Sequence, residues 1–397
     1  MVMDPPLIQE ILLEKLDNYP KSTVTKNVLR PAIGESLFIA EGAHWRWQRR
    51  ATAPVFSHRN VSALTPIMSA AADRCANRIA AAGKRAVNML EEMISTTFDV
   101  IAEVTFSADG SFDRNAVLRA IDMYISDAGR VSLLDVLGAP DWVPRPGRMR
   151  ASAEMAAMRE NADAAIQARA ERGPGQVPDL LDLLHYAEDP KSGRKMTTSE
   201  IRDNLLTFIV AGHETTALTL AWSLYLCAFD PAVQAIAHAQ ARAVLGDRMA
   251  TADDLDALPN IRQIVEEALR LYPPAAILSR IARKSDTLGG ARIQAEDTVM
   301  VPIYAVGRHR ALWQDPDAFD PGRFANRKEI PRYSYLPFGD GPRICIGASF
   351  AMQEAVIVLA TLLARFRFTP VQGRTPEPVM ILTLRPEGGV WLTAEPA

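Results

Sequence analysis

A chain of 397 residues, 48% hydrophobic and 23% charged, has the balance of a folded protein with a substantial core, which excludes general disorder. A net charge of −3 with no run of Lys and Arg excludes the usual electrostatic footprint of a nucleic-acid binder. The three cysteines, Cys75, Cys227 and Cys345, form no disulfide framework and fit a reducing cytoplasm.

Asp4-Pro5-Pro6 ahead of Leu7, Ile8, Ile11, Leu12 and Leu16 predicts a capped helix closed by Tyr19-Pro20. Its acidic residues, Glu10, Glu14 and Asp17, exclude a signal peptide, and no apolar run of the chain has bilayer-spanning length. Residues 21–39 read as a mixed loop. Beyond it, Trp45 and Arg49 stand one helical turn apart on a shared face, with His44 beside them as a surface or loop histidine. Helical periodicity dominates residues 61–172, with interruptions near 108–113 and 131–146.

Residues 199–230 are apolar nearly all round, which predicts a helix buried through the core and about 45 Å long. Its middle carries Ala211-Gly212-His213-Glu214-Thr215-Thr216. An interior glycine costs about 1 kcal/mol relative to alanine, and an unpartnered buried carboxylate costs more. A purely structural helix has little use for either.

A further helix follows Asp230-Pro231, and another over 260–272 ends at Pro273-Pro274 with Glu267 and Arg270 on one face. On its own that pair is worth about 0–1 kcal/mol. Residues 273–303 turn strand-like around a hairpin at Gly289-Gly290. Residues 379–384 and 390–393 alternate around Pro386-Glu387-Gly388-Gly389 and predict a closing hairpin. The total is a mainly α chain with a minor β region. With no linker to divide it, residues 1–397 read as a single domain.

The most informative stretch is Phe338-Gly339-Asp340-Gly341-Pro342-Arg343-Ile344-Cys345-Ile346-Gly347, followed by an amphipathic helix to about Phe366. Gly339, Gly341 and Gly347 permit tight backbone bends around the sulfur. A thiolate at a helix start is a nucleophile, a redox thiol or a metal ligand. The nearest histidine in sequence is His309 and no Cys-x-x-Cys occurs, which puts metal ligation ahead.

The order Phe-x-x-Gly-x-Arg-x-Cys-x-Gly resembles the haem-binding loop of the cytochromes P450, with every position filled. The resemblance covers essentially the whole chain and implies the P450 fold. It makes Cys345 the axial thiolate of haem b, packs Phe338 by the sulfur within the Gly339 and Gly347 bends, and sets Arg343 on a propionate. Trp45 and Arg49 would bind a propionate and Arg280 the other. Ala211 and Gly212 would leave room for dioxygen and the haem edge, a local opening of the helix at 211–216 would admit water, Thr215 would bond the activated oxygen, and Glu214 would relay protons. Glu267 and Arg270, joined by Arg323, would brace the haem loop; in the Arg323 loop Gly322 replaces the family's usual Glu or Gln. Ala276, Ile277 and Thr383 would line the distal pocket, and residues 115–170 the lid and entrance.

The implied activity is insertion of one oxygen atom from O2 into a hydrophobic small molecule of the fatty acid, terpenoid or steroid class. Electrons would come from NAD(P)H through a separate ferredoxin and ferredoxin reductase, docking on Arg46, Arg50, Arg327, Lys328 and Arg332. The expected protein is a cytoplasmic monomer without a membrane span. A peroxide-driven peroxygenase, a haem-thiolate isomerase and a haem sensor or carrier are the alternatives, against which Glu214 and Thr215 argue. Family members normally carry a further helix and two strands before the segment that begins here, so the chain is expected to be N-terminally short and less stable than an extended form.

Overall fold

The computed structural model describes residues 1–106, 113–124, 146–175 and 178–397. The expected interruptions near 108–113 and 131–146, and part of the lid, lie largely outside the described residues.

The first helix, α1 (Pro5–Gln9), runs on through one π turn to Glu14. Asp4 stands at its N-cap but makes no side-chain capping bond. The expected loop at 21–39 is mostly a helix, α2 (Thr23–Ile33), despite Pro31. Its proline lies in the last turn, and burial of Val28, Leu29, Ala32 and Ile33 outweighs the weak propensity of the segment. Next come α3 (Gly42–Thr52), α4 (His58–Ala63), α5 (Thr65–Ala82), α6 (Met89–Phe106), α7 (Arg114–Met123), α8 (Pro146–Arg172) and α9 (Leu180–Tyr186).

The organising element is α10 (Thr198–Phe229), 32 residues and so about 48 Å long. Thr197 and Glu200 start it with a reciprocal capping box. Its most extensive partner is α6, and α8, α12 (Pro259–Leu271) and α14 (Ala348–Arg365), which follows the one-turn α13 (Ile303–Val306) in the chain, also pack on it, while α11 (Pro231–Leu245) leaves its end through a Pro at N1. The expected opening at 211–216 is absent: α10 is α-helical throughout. Threonine hydroxyls bond back within it, as Thr215 does to Ala211 O at 2.7 Å, and this leaves the helix intact.

The strands are short: β1 (Val87–Asn88), β2 (Leu278–Ile281), β3 (Asp286–Leu288), β4 (Ala291–Ile293), β5 (Thr298–Val301), β6 (Phe366–Pro370), β7 (Glu377–Met380), β8 (Leu384–Glu387) and β9 (Trp391–Pro396). Gly289 and Gly290, both at positive φ, make the β3–β4 turn as expected. The closing hairpin is not where the alternation put it. β7 pairs with β8 around 381–383, whereas β9 joins β6 and β1 in a three-stranded sheet. Gly388 and Gly389, at φ 80 and 78, carry the chain from one sheet to the other, and a Cβ on Gly389 would collide with Asn88 at 2.5 Å.

By length and composition α14 does reach the size of a membrane span, contrary to expectation. Its window is 78% buried against α5, α11 and α10, the environment of a core helix.

Candidate active site

The loop before α14 folds so that the Cys345 N–H donates to Phe338 O at 2.9 Å. Gly339 and Gly341 take φ of 71 and 72, and a Cβ on Gly341 would lie 2.6 Å from Leu12 O, so glycine is required there. Gly347 is different: its φ is −89, and a Cβ would meet nothing nearby. Its contribution is an N–H bonded to the Cys345 sulfur at the start of α14. Phe338 is half-buried and packs onto the main core.

Cys345 is exposed, unlike Cys75 and Cys227. Burial raises its thiol pKa, while the Gly347 N–H and the Arg49 charge pull it down. Among the described residues no cluster of His, Cys, Asp and Glu forms a metal site, so any metal here would take Cys345 as a lone protein ligand. Ala211, in the middle of the largely buried α10, is also exposed. Gly212 is half-buried, and a Cβ there would meet the Ile101 side chain of α6 at 3.4 Å.

Around the loop, three cations crowd one carboxylate. Arg343 binds Glu41 through both terminal nitrogens, leaving its Nε without a partner among the described residues. Lys21 donates its backbone N–H to Glu41 Oε1 at 2.7 Å and its amine to the carbonyls of Leu37 at 3.1 Å, Phe38, and Ala40 at 3.5 Å. Arg280, bridged to Lys21 through the backbone, gives one bond to Ser279 O at 3.0 Å, and its buried Nε is unpartnered among the described residues. Burial, reinforced by the neighbouring cations, pulls Arg280 down to about 10 and Lys21 down to about 7, with Glu41 opposing both shifts.

Arg343 takes the Glu41 carboxylate and Arg280 has no carboxylate partner among the described residues, so the cluster holds a surplus of positive charge that the propionates of a haem would match. Trp45 is buried with the Arg343 guanidinium 5.4 Å from its ring, and its indole N–H has no partner among the described residues. Arg49, one turn on, likewise makes no hydrogen bond there and has its pKa lowered by burial. This donor set fits an iron porphyrin. Lys21 escaped the sequence reading because no local motif marks it; only its approach to Glu41 and Arg280 does.

Behind the loop, Arg270 donates to both oxygens of Glu267 at 2.7 Å and to the carbonyls of Gly307 and Pro316, each at 2.6 Å, and Ala318 at 2.9 Å. Arg323 Nε joins from 3.4 Å, so the three expected residues meet, and the segment they hold directly is 307–320.

On α10, Glu214 is 2% exposed. Its carboxyl pKa is raised, chiefly by burial, against the lowering effects of Arg385 and Thr383. Thr383 is buried and donates to it at 2.9 Å. Ala276 is buried and Ile277 exposed. His44, expected at the surface, is half-buried with its ring 2.6 Å from Gln48 Nε2.

The cytochrome P450 family model matches residues 1–393. The chain is 31% identical over 386 residues to cyclooctatin synthase of Streptomyces melanosporofaciens, covering 96% of this chain and 83% of that one. It is 32% identical over 377 residues to cyclooctat-9-en-7-ol 5-monooxygenase of the same organism, covering 94% and 80%. The crystal structure of the cytochrome P450DA heme domain superposes with a TM-score of 0.89 at 28% identity, over 100% of this chain and 87% of that one. With an exposed cysteine in the haem-loop pattern and this match along its length, the chain belongs to the cytochrome P450 family and is a P450 monooxygenase.

Proposed function

We propose that residues 1–397 act as one catalytic domain that binds haem b through Cys345 and oxygenates a hydrophobic small molecule of the fatty acid, terpenoid or steroid class. The observation that carries the cofactor reading is the exposed Cys345 thiol of the glycine loop, with the Arg49 charge acting on it and Arg280 buried with its Nε unpartnered among the described residues. When bound, the haem supplies dioxygen activation, which a thiolate ligand favours by donating electron density.

The chain's own residues bind, orient and carry protons. Lys21, Trp45, Arg49, Arg280 and Arg343 hold the propionates with charged and N–H donors. Glu214 is a proton carrier suited to the task because burial moves its pKa from the ordinary carboxylate value toward neutrality. Thr215, on the same stretch of α10, is free to trade its bond to Ala211 O for one to a reacting oxygen. Ile277 offers an exposed apolar side chain to substrate. The substrate class also draws support from the relative named for cyclooctat-9-en-7-ol.

Electrons reach the centre from NAD(P)H through a ferredoxin and its reductase. The basic docking face is weaker than the residue types suggest, since Arg46 pairs with Asp17, Arg50 with Asp189 and Arg327 with Glu266. Lys328 and Arg332 are exposed and carry the most available charge. The ferrous carbon monoxide spectrum tests the ligand: a thiolate-type band is expected, and its absence from active protein overturns Cys345 ligation. Thr215→Ala is expected to uncouple electron use from product; unchanged coupling removes Thr215 from the reaction.

A further inference from the structure

Helix α3 carries Trp45 and Arg49 on one face, and contacts on its other sides fix how that face is turned. A helix turns about 100° per residue, so Arg50 and Gln48 lie about 100° to either side of Arg49, and Trp47 lies about 160° from both Trp45 and Arg49. Residues that precede or begin α10 engage all three. Arg50 donates Nε and Nη2 to the two oxygens of Asp189 at 2.6 and 2.7 Å. The Arg194 guanidinium lies 3.8 Å from the centre of the Trp47 ring. Gln48 is buried, donates to Glu35 O at 3.1 Å and accepts from Asn204 of α10 at 3.0 Å.

The turn that supplies Asp189 and Arg194 is cross-linked within itself. Between α9 and α10 the chain folds back through a Glu188–Lys195 bridge, the Asp189 N–H donates to Arg194 O at 2.9 Å, and the N–H of Gly193, at φ 65, donates to Asp189 O at 2.8 Å. The buried Asp189 carboxylate also accepts from Ser192 Oγ at 2.7 Å, and the Arg50 guanidinium holds its pKa well below the usual carboxylate range. Arg194 in turn donates to Glu200 Oε1 at 2.7 Å, and Glu200 belongs to the capping box of α10. A planar fork on two oxygens and a guanidinium stacked on an indole both fix orientation, which a point charge does not. Orientation matters because a side-chain tip on a helix about 10–12 Å across moves about 2 Å for a rotation of about 20°. That displacement breaks a hydrogen bond of ordinary length, about 2.9 Å.

We infer that Asp189, assisted by Arg194, is a positioning residue for haem binding: the turn between α9 and α10 grips the back of α3 and sets the rotation at which Trp45 and Arg49 meet a propionate. The inference rests on the reading of Trp45 and Arg49 as propionate ligands. It makes Arg50 a part of this grip in place of a docking face.

The test uses the haem-loaded protein and its Asp189→Asn, Arg50→Lys, Arg194→Ala, Arg49→Leu and Asp189→Asn/Arg49→Leu variants. The rate of haem transfer to excess apomyoglobin and the midpoint reduction potential are read. Asp189→Asn is expected to speed transfer several-fold and to lower the potential, as Arg49→Leu does, because a cation has moved away from the propionate. Deletion of one negative charge acting directly would raise the potential instead. In the Arg49→Leu background, Asp189→Asn is expected to keep less than half of its effect on the logarithm of the rate, since the two act through one side chain. Arg50→Lys keeps the charge and loses the fork; it is expected to change rate and potential in the same directions, and it takes the place of Asp189→Asn throughout if that variant does not fold. Arg194→Ala is expected to speed transfer as well, and a wild-type rate takes Arg194 out of the grip. A wild-type transfer rate in Asp189→Asn, an unchanged or raised potential, or half or more of the effect retained without Arg49 overturns the inference. Failure of the underlying reading looks different: Arg49→Leu itself then transfers haem at the wild-type rate.

Discussion

Arg270→Ala removes a buried side chain that ties α12 to the segment before the cysteine loop. Arg270 and Glu267 are both 0% exposed, and the guanidinium serves both carboxylate oxygens and three backbone carbonyls. The substitution leaves Glu267 with Arg323 at 3.4 Å and the Asp320 N–H at 2.9 Å, and it strips three carbonyls of their donor. Breaking a buried pair by deleting one partner costs about 3–5 kcal/mol. With an unfolding entropy of about 2.1 cal/mol/K per residue, a chain of 397 residues loses about 0.8 kcal/mol of stability per degree near its midpoint, so the expected fall in Tm is about 4–6 °C. Circular dichroism melts of the haem-loaded protein at one fixed scan rate measure it. Arg270→Lys is expected to recover less than half, because an ammonium point charge cannot span both oxygens and the carbonyls. A melt of Arg270→Ala within about 1 °C of wild type refutes the assignment, since even one lost charge-assisted hydrogen bond is worth about 1.5–3 kcal/mol.

Gly341→Ala forces a side chain into φ 72 and within 2.6 Å of Leu12 O, and the ratio of Soret to protein absorbance should fall; a full haem complement would show that the loop yields easily. Arg280→Leu should speed haem transfer to an acceptor apoprotein, and an unchanged rate would take Arg280 off the propionates. Lys21→Met tests the cation cluster by pH. In the haem-free chain burial lowers the Lys21 pKa from 10.5 to about 7, so between those values the unfolded chain holds a proton that the folded chain has released. Stability therefore rises with pH across that window, and Lys21→Met should flatten the rise in denaturant melts of the apoprotein. A rise that persists in the variant would assign it to another group.

The parts legible in the residues were those whose signal is local. Phe338 to Gly347 and Ala211 to Thr216 carry their chemistry in ten and six consecutive residues, Glu267 and Arg270 share a helix face three apart, and Gly289-Gly290 marks its own turn. Helical period and apolar content likewise gave the buried course of α10 and the mainly α class. Where local signals competed with packing they misled: the mixed composition of 21–39 suggested a loop where burial makes α2, and the alternation around Gly388 suggested a hairpin where the chain changes sheet.

What tertiary structure alone decided is which charges meet. Thr383 reaches Glu214 across 169 positions and Arg343 reaches Glu41 across 302. Lys21 looks like any surface lysine until the fold buries it beside Arg280. Side-chain period fixes the face a residue takes within its own element, but electrostatic pairing depends on distance in space. Sequence therefore names the haem ligand and the acid, and only the fold supplies the counter-charges that set how strongly each holds its proton.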